Sequence, residues 1–290
     1  MTKKRKSTRL KPLSQGRPPT TKPLRSLSSK ATRTVIRTHH TLEKKRAKAL
    51  SEGDEAGAAA IRQQIDSQGG IQGYQYASLV GQGSERGGDS SKILMEWLQP
   101  LSPELRTRVE QGRSIRMLEV GALSVTNACS KSRLFEMERI DLNSQEKGIK
   151  EQDFMERPLP RNENELFDII SLSLVLNYVP DAIGKGNMLL RTLKFLKVNQ
   201  DSEHLRNFFP SLFLVLPAPC VRNSRYLDEG KLEAIMESLG YHAAKKKASS
   251  RLIYYLWKLA PIGTNRRRVA FKKAEIRSGK DRNNFAIVLD

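Results

Sequence analysis

The residues most able to do chemistry lie in two short apolar runs. Ile115-Arg-Met-Leu-Glu-Val-Gly121 ends in a carboxylate and a glycine, and Asp141, in Glu138-Arg-Ile-Asp-Leu142, follows Gly121 by twenty positions. A glycine at a strand end lets a ligand approach the backbone, and a carboxylate closing the next strand can accept hydrogen bonds from both hydroxyls of a ribose. Together they describe the nucleoside-binding crevice of a Rossmann-type sheet. The stretch Gly121-Ala-Leu-Ser-Val-Thr-Asn127 carries side chains where a dinucleotide fold keeps its further glycines. A pyrophosphate would be crowded there, whereas a nucleoside ligand without one has room.

S-adenosylmethionine is such a ligand, being adenosine joined through a sulfonium to an amino-acid tail. On this reading Glu119 and Gly121 line the methionine end, and Asp141 grips the ribose with Leu142 beside it. Asp153, in Lys150-Glu-Gln-Asp-Phe154, faces the adenine amino group, and Phe154 lies beside the ring. Ser171 and Ser173 belong at the end of a fourth strand, where ligands collect in open α/β sheets. Each carboxylate has a plainer role open to it: Asp141 as a helix cap, Asp153 as a turn former, Asp168 as a strand-edge residue. The weight comes from Glu119, Asp141 and Asp153 arriving at successive strand ends in order.

Alternating short apolar runs and helical patterns from Ile115 onward predict a mostly parallel sheet with helices on both faces. The strands are expected near 115–120, 137–141, 149–153, 167–173 and 212–216, with helices at about 184–197 and 228–239. Runs at 251–259 and 285–289 read as a sixth and a seventh strand forming a late antiparallel hairpin. Upstream, residues 41–100 form a helical extension with a glycine-rich loop, Gly81-Gln-Gly-Ser-Glu-Arg-Gly-Gly-Asp89, that ends where Asp89, Ser90 or Ser91 can cap a helix. This loop is either a lid over the pocket, with Arg86 aimed at an anion, or a plain linker. Residues 101–290 make the Rossmann-like domain.

The formal charge is +20, and residues 1–50 hold sixteen Lys/Arg against Glu43 alone. Residues 1–40 have too little apolar surface to offset ordering entropy and are expected to be a disordered basic tail. Such a tail suits nucleic acid by counterion release, and Lys3-Lys-Arg-Lys6 suits nuclear import. No run approaches the roughly 20 apolar residues of a membrane span, so a protein that is neither embedded nor secreted is expected. Cys129 and Cys220 are far apart and lack neighbours at metal-ligand spacing, so no metal is expected.

The chain resembles the fungal family of 25S ribosomal RNA adenine-N1 methyltransferases from about Thr41 onward. The landmarks are Gly69-Gly70 with Tyr74-Gln75, Arg86-Gly-Gly-Asp-Ser-Ser-Lys92 with Trp97, Leu118-Glu-Val-Gly121, Arg139-Ile-Asp-Leu142 and Leu216-Pro-Ala-Pro-Cys-Val-Arg-Asn-Ser-Arg-Tyr226. The resemblance implies a class I methyltransferase fold with a seven-stranded sheet. It also implies methyl transfer from S-adenosylmethionine to N1 of an adenine in large-subunit rRNA or a pre-ribosomal particle, in the nucleus and nucleolus. Because N1 lies on the pairing edge, the base must be unpaired or swung out, which calls for a stacking group and an edge-reading hydrogen bond. Asn177 and Tyr178 after the fourth strand, and Pro217, Pro219, Asn223, Arg225 and Tyr226 after the fifth, are the candidates. A related branch binds the methyl donor as a sensor, so binding without catalysis is an alternative, as is an RNA-binding assembly factor on a decayed fold. A monomer is expected.

Overall fold

The computed structural model describes residues 29–70, 72–73, 76–77, 88–144, 146–197, 203–261 and 269–290. Apolar runs rich in branched residues form the strands β1 (Ile115–Val120), β2 (Phe135–Asp141), β3 (Lys150–Glu151), β4 (Ile169–Ser173), β5 (Ser211–Pro217), β6 (Tyr241–Ala248) and β7 (Leu252–Leu259). They make one seven-stranded sheet in the order β3-β2-β1-β4-β5-β7-β6. The first five run parallel, and β7 is antiparallel to both β5 and β6. The strand order reverses between β1 and β4, which opens a crevice at their carboxyl ends.

Both faces are covered, as buried parallel strands require. On one face Leu118, Val120, Ile170, Leu172, Leu212, Leu214 and Trp257 pack beneath three helices. These are α6 (Ala182–Phe195), α8 (Ala218–Arg222) and α9 (Glu229–Ser238). On the other, Ile115, Met117, Ile169, Phe213 and Leu256 meet α3 (Ser91–Leu98), α4 (Ser102–Glu110), α5 (Ala128–Ser132) and α7 (Glu203–Arg206). The helix expected from Thr41 is a pair, α1 (Ser29–Ser51) and α2 (Glu55–Ser67), broken where Gly53 takes a φ of +77°. Asp54 then accepts from Gly57 N at 2.8 Å and starts α2. Helix thus begins at Ser29, inside the span expected to be disordered. The seating of Thr32, Leu42 and Ala49 in buried positions supplies the burial that composition alone did not reveal. Residues 1–28 of the expected tail, and residues 81–87 of the glycine-rich loop, lie outside the described residues.

Two strand assignments change. The run at 251–259 is β7, and its hairpin partner is β6, which the sequence reading passed over. β6 is an edge strand exposed along most of its length, and its Lys245-Lys-Lys247 is the charge that guards an open edge. Residues 285–289 are not a sheet strand, because both sides of β7 are already paired. Phe285, Ala286, Ile287 and Leu289 are nonetheless buried, and the segment returns across α6 with one bridge, Phe271 to Leu289.

That return is close-packed. Val288 N donates to Ala182 O at 2.9 Å, and a Cβ added at Gly186 would lie 1.8 Å from Val288 O. The obstacle is backbone, so it cannot rotate away. Gly186→Ala is expected to destabilise the protein by about 2 kcal/mol through overpacking, measured by urea unfolding. Unchanged stability would mean that the segment does not pack on α6.

Candidate cofactor and base-binding site

The site forms where β1, β2 and β4 end. Gly121 has a φ of +73°, a conformation in which side chains are strained, and its absent Cβ would come 2.6 Å from Val175 Cγ2. Its N–H and that of Ala122 donate to Ile140 O at 2.8 and 3.1 Å, pulling the loop after β1 against the end of β2. Asp141 therefore stands beside Gly121. Asn143 N donates to Asp141 Oδ1 at 2.9 Å, which orients the carboxylate, and Leu142 next to it is 63% exposed. A large apolar side chain held open beside an oriented carboxylate is a surface for a ring and its sugar. Gln152 N donates to Asp141 O at 2.8 Å, so the short β3 brings Asp153 to the same edge, where its Oδ1 accepts from Met155 N at 2.7 Å.

Glu119 is the electrostatic centre of the crevice. Asn127 Nδ2 donates to both its oxygens at 2.8 and 2.9 Å, and Arg139 Nε lies 4.0 Å from Oε2. Arg139 is its register neighbour on β2 and also donates to Ser130 Oγ at 2.7 Å. Burial pushes the Glu119 carboxyl up to about 7. The Asn127 hydrogen bond and Arg139 oppose the rise, and the nearby Asp89 charge adds to it. A half-buried carboxylate whose arginine partner stands 4.0 Å away suits a cationic ligand.

Asp89 and Ser90 enter this crevice from upstream, a connection the sequence reading gave only as helix capping. Asp89 Oδ1 accepts from Ser91 N and Ser91 Oγ at 2.9 and 2.6 Å, while Oδ2 accepts from Ala128 N at 2.5 Å. One carboxylate thus joins the starts of α3 and α5. Ser90 Oγ lies 2.7 Å from Ser173 Oγ at the end of β4. Asp89 and Ser90 are thus tied to α5 and to the end of β4, links between positions tens of residues apart that no local spacing could reveal.

Beyond β4 the chain turns at Leu174, whose φ of +58° is a strained conformation for a side chain with a Cβ. The turn brings Val175 against Gly121, and Asn177 and Tyr178 follow it, Tyr178 N donating to Val175 O at 2.8 Å. Asn177 Oδ1 is buried and has no hydrogen-bond partner among the described residues. Orphan buried acceptors are rare, and one in a loop at a strand end is a candidate to receive a ligand's donor.

Other expected site residues fall elsewhere. Phe154 is 2% exposed and packs on Phe195 with ring centroids 5.4 Å apart, so it belongs to the core and its ring is closed to an adenine. Ser171 is buried mid-strand in register with Glu119 and Phe213, and Ser173 takes the strand-end position instead. Asn223 Nδ2 donates to Asp281 O at 3.0 Å and Asn283 N donates to Asn223 O at 2.9 Å, which makes Asn223 a tie to the C-terminal segment rather than an open base reader. Arg225 is held likewise by Asn284 Oδ1 and Gly279 O. Tyr226 carries the Lys273 ammonium 4.7 Å from its ring centroid, so a cation already lies over the ring expected to stack on the base. Asp168 accepts from Arg116 N at 2.8 Å, the strand-edge role expected of it.

The model of the family described as "25S rRNA (adenine(2142)-N(1))-methyltransferase, Bmt2" matches residues 59–287. A Saccharomyces cerevisiae protein named 25S rRNA (adenine(2142)-N(1))-methyltransferase is 40% identical over 230 residues, 79% of this chain and 63% of that protein. The chain therefore spans less than two thirds of that relative's length. A Schizosaccharomyces pombe protein named 25S rRNA adenine-N(1) methyltransferase is 39% identical over 218 residues, 75% of this chain and 76% of its own. Among solved structures, an O-methyltransferase family protein from Burkholderia thailandensis aligns with a TM-score of 0.41 at 10% identity, over 81% of this chain and 74% of that one, too slight a likeness to argue from. The extent and identity of the sequence matches place this chain in the 25S rRNA (adenine-N1)-methyltransferase family, Bmt2.

Proposed function

We propose that the chain transfers a methyl group from S-adenosylmethionine to N1 of an adenine in large-subunit rRNA, as part of ribosome assembly in the nucleus and nucleolus. The residues at the strand ends fit that cofactor. Gly121 makes the tight turn after β1 that sets the end of the crevice, Asp141 would take the ribose hydroxyls with Leu142 against the adenine, and Asp153 would face its amino group. Glu119 would meet the positive charge of the amino-acid end. When bound, S-adenosylmethionine supplies an electrophilic methyl on a sulfonium.

The rest of the chemistry is positioning. Adenine N1 carries its lone pair in the ring plane and is mostly unprotonated near neutral pH, so no strong base is required and orientation decides the rate. The observation that carries the base-reading half of this proposal is the buried, unpartnered Asn177 Oδ1 at the end of β4. We assign it as the acceptor for the 6-amino group of the target adenine, which would aim N1 at the methyl, with Tyr178 stacking on the ring.

Asn177→Ala should leave cofactor affinity within about threefold of the parent and lower kcat at least about tenfold, the weight of one base-reading hydrogen bond. Calorimetry and tritium transfer onto unmodified large-subunit rRNA measure the two. Unchanged kcat would remove Asn177 from this role. Cofactor binding by the parent without any transfer would favour a sensor.

A further inference from the structure

We propose that the single-stranded RNA flanking the target adenine docks in the cleft between the start of α6 and the C-terminal segment, a base resting on Ala182, Ile183 and Val288 and its phosphates on Lys272 and Lys273. The inference rests on the reading of the chain as an RNA methyltransferase and adds where the substrate strand runs. The cleft measures about 370 Å³ and is lined by Asp181, Ala182, Ile183, Lys272, Lys273 and Val288. That size is within the range of ligand-binding clefts, about 300–1,000 Å³.

Its floor is apolar and open. Ile183 is 50% exposed although it is a large branched side chain, and Ala182 and Val288 flank it. An apolar floor can take the face of an unpaired base by contact, and the two lysines at its rim can take the phosphates by charge. Neither cation is neutralised, although the Lys273 ammonium also lies over the Tyr226 ring. Among the described residues neither Lys272 nor Lys273 pairs with a carboxylate, whereas the edge-strand lysines Lys246 and Lys247 are paired with Glu229 and Glu96. Lys44 of α1 and the buried Lys185, whose Nζ donates to Asp181 O at 2.9 Å, add positive charge from beneath. The opposing carboxylate, Asp181, is occupied in capping α6, its Oδ1 accepting from Gly184 N at 2.6 Å.

Position selects RNA as the occupant. Asp181 lies four residues beyond Asn177 in the same loop. One loop thus carries both the assigned base reader and the rim of the cleft, so the strand leaving the one can enter the other. Since N1 can react only when its base is unpaired, the adjoining nucleotides are expected to be single-stranded as well.

The test is Lys272→Glu/Lys273→Glu, two exposed positions whose change should leave the fold intact, with Lys246→Glu/Lys247→Glu as a charge-matched control. Fluorescence anisotropy with a labelled single-stranded RNA of mixed sequence, over about 50 to 200 mM salt, reads the phosphate contacts directly. The cleft variant should bind at least about tenfold more weakly, with its salt slope reduced by about 1.4 and S-adenosylmethionine affinity unchanged. The control should stay within about threefold of the parent. If the parent methylates RNA and the cleft variant binds it as tightly as the control does, the cleft assignment falls and the methyltransferase reading stands. If the parent neither binds RNA nor transfers a methyl group, both fall.

Discussion

Replacing Asp141 by Ala should weaken S-adenosylmethionine binding at least about a hundredfold, a loss of about 3 kcal/mol or more. Two ribose hydroxyls donating to one ionised carboxylate are worth about 1.5–3 kcal/mol each. The carboxylate is already oriented by Asn143 N, so little ordering is required on binding. Thermal stability should fall far less, because Asp141 lies at the open end of β2. Calorimetry on the variant and its parent decides it. An affinity within about threefold of the parent would show that the sugar is held elsewhere.

Glu119→Gln should act in opposite directions on stability and on binding. Burial pushes the Glu119 carboxyl from 4.5 up to about 7, with the Asn127 hydrogen bond and Arg139 opposing and Asp89 assisting. The folded chain therefore holds this proton more tightly than the unfolded chain does. The stabilising contribution of Glu119 is complete below about pH 4.5 and is lost as pH rises through about 7. Glutamine imitates the protonated form at every pH. The variant should match its parent in urea unfolding at low pH and exceed it by up to about 3 kcal/mol above neutrality. Binding a cationic ligand requires the ionised form, so the parent's affinity should rise about tenfold per pH unit up to about pH 7 and then level off. The variant should bind at least about tenfold more weakly at pH 8 with a flatter profile. Parallel stability and binding profiles in the two proteins would show that Glu119 does not titrate in this range or does not meet the ligand.

The legible parts of the chain were those whose signal is local. Ile115-Arg-Met-Leu-Glu-Val-Gly121 and Asp141 announce themselves because each closes a short apolar run, the first with a turn glycine and the second with a carboxylate. Most of the parallel strands were likewise readable as buried apolar runs. β6 was not, since Tyr241-His-Ala-Ala-Lys-Lys-Lys-Ala248 has an edge strand's charges in place of an alternating apolar face. The opposite error arose at Phe285-Ala-Ile-Val-Leu289, which has the composition of a strand but finds both neighbours of β7 taken and packs on α6 instead. Asp89 meeting Ala128 N, Ser90 meeting Ser173 and Asn223 tying down Asp281 depend on how distant segments return. Residue spacing alone carries no record of those contacts.

The central claim is that the crevice at the ends of β1, β2 and β4 delivers a methyl group to adenine N1. The most direct measurement is nucleoside mass spectrometry on unmodified large-subunit rRNA after incubation with the purified protein and S-adenosylmethionine. The account predicts 1-methyladenosine at one position, absent when Asp141→Ala replaces the parent. No methylated adenosine with the parent, or a methyl group on another atom of the base, would contradict it.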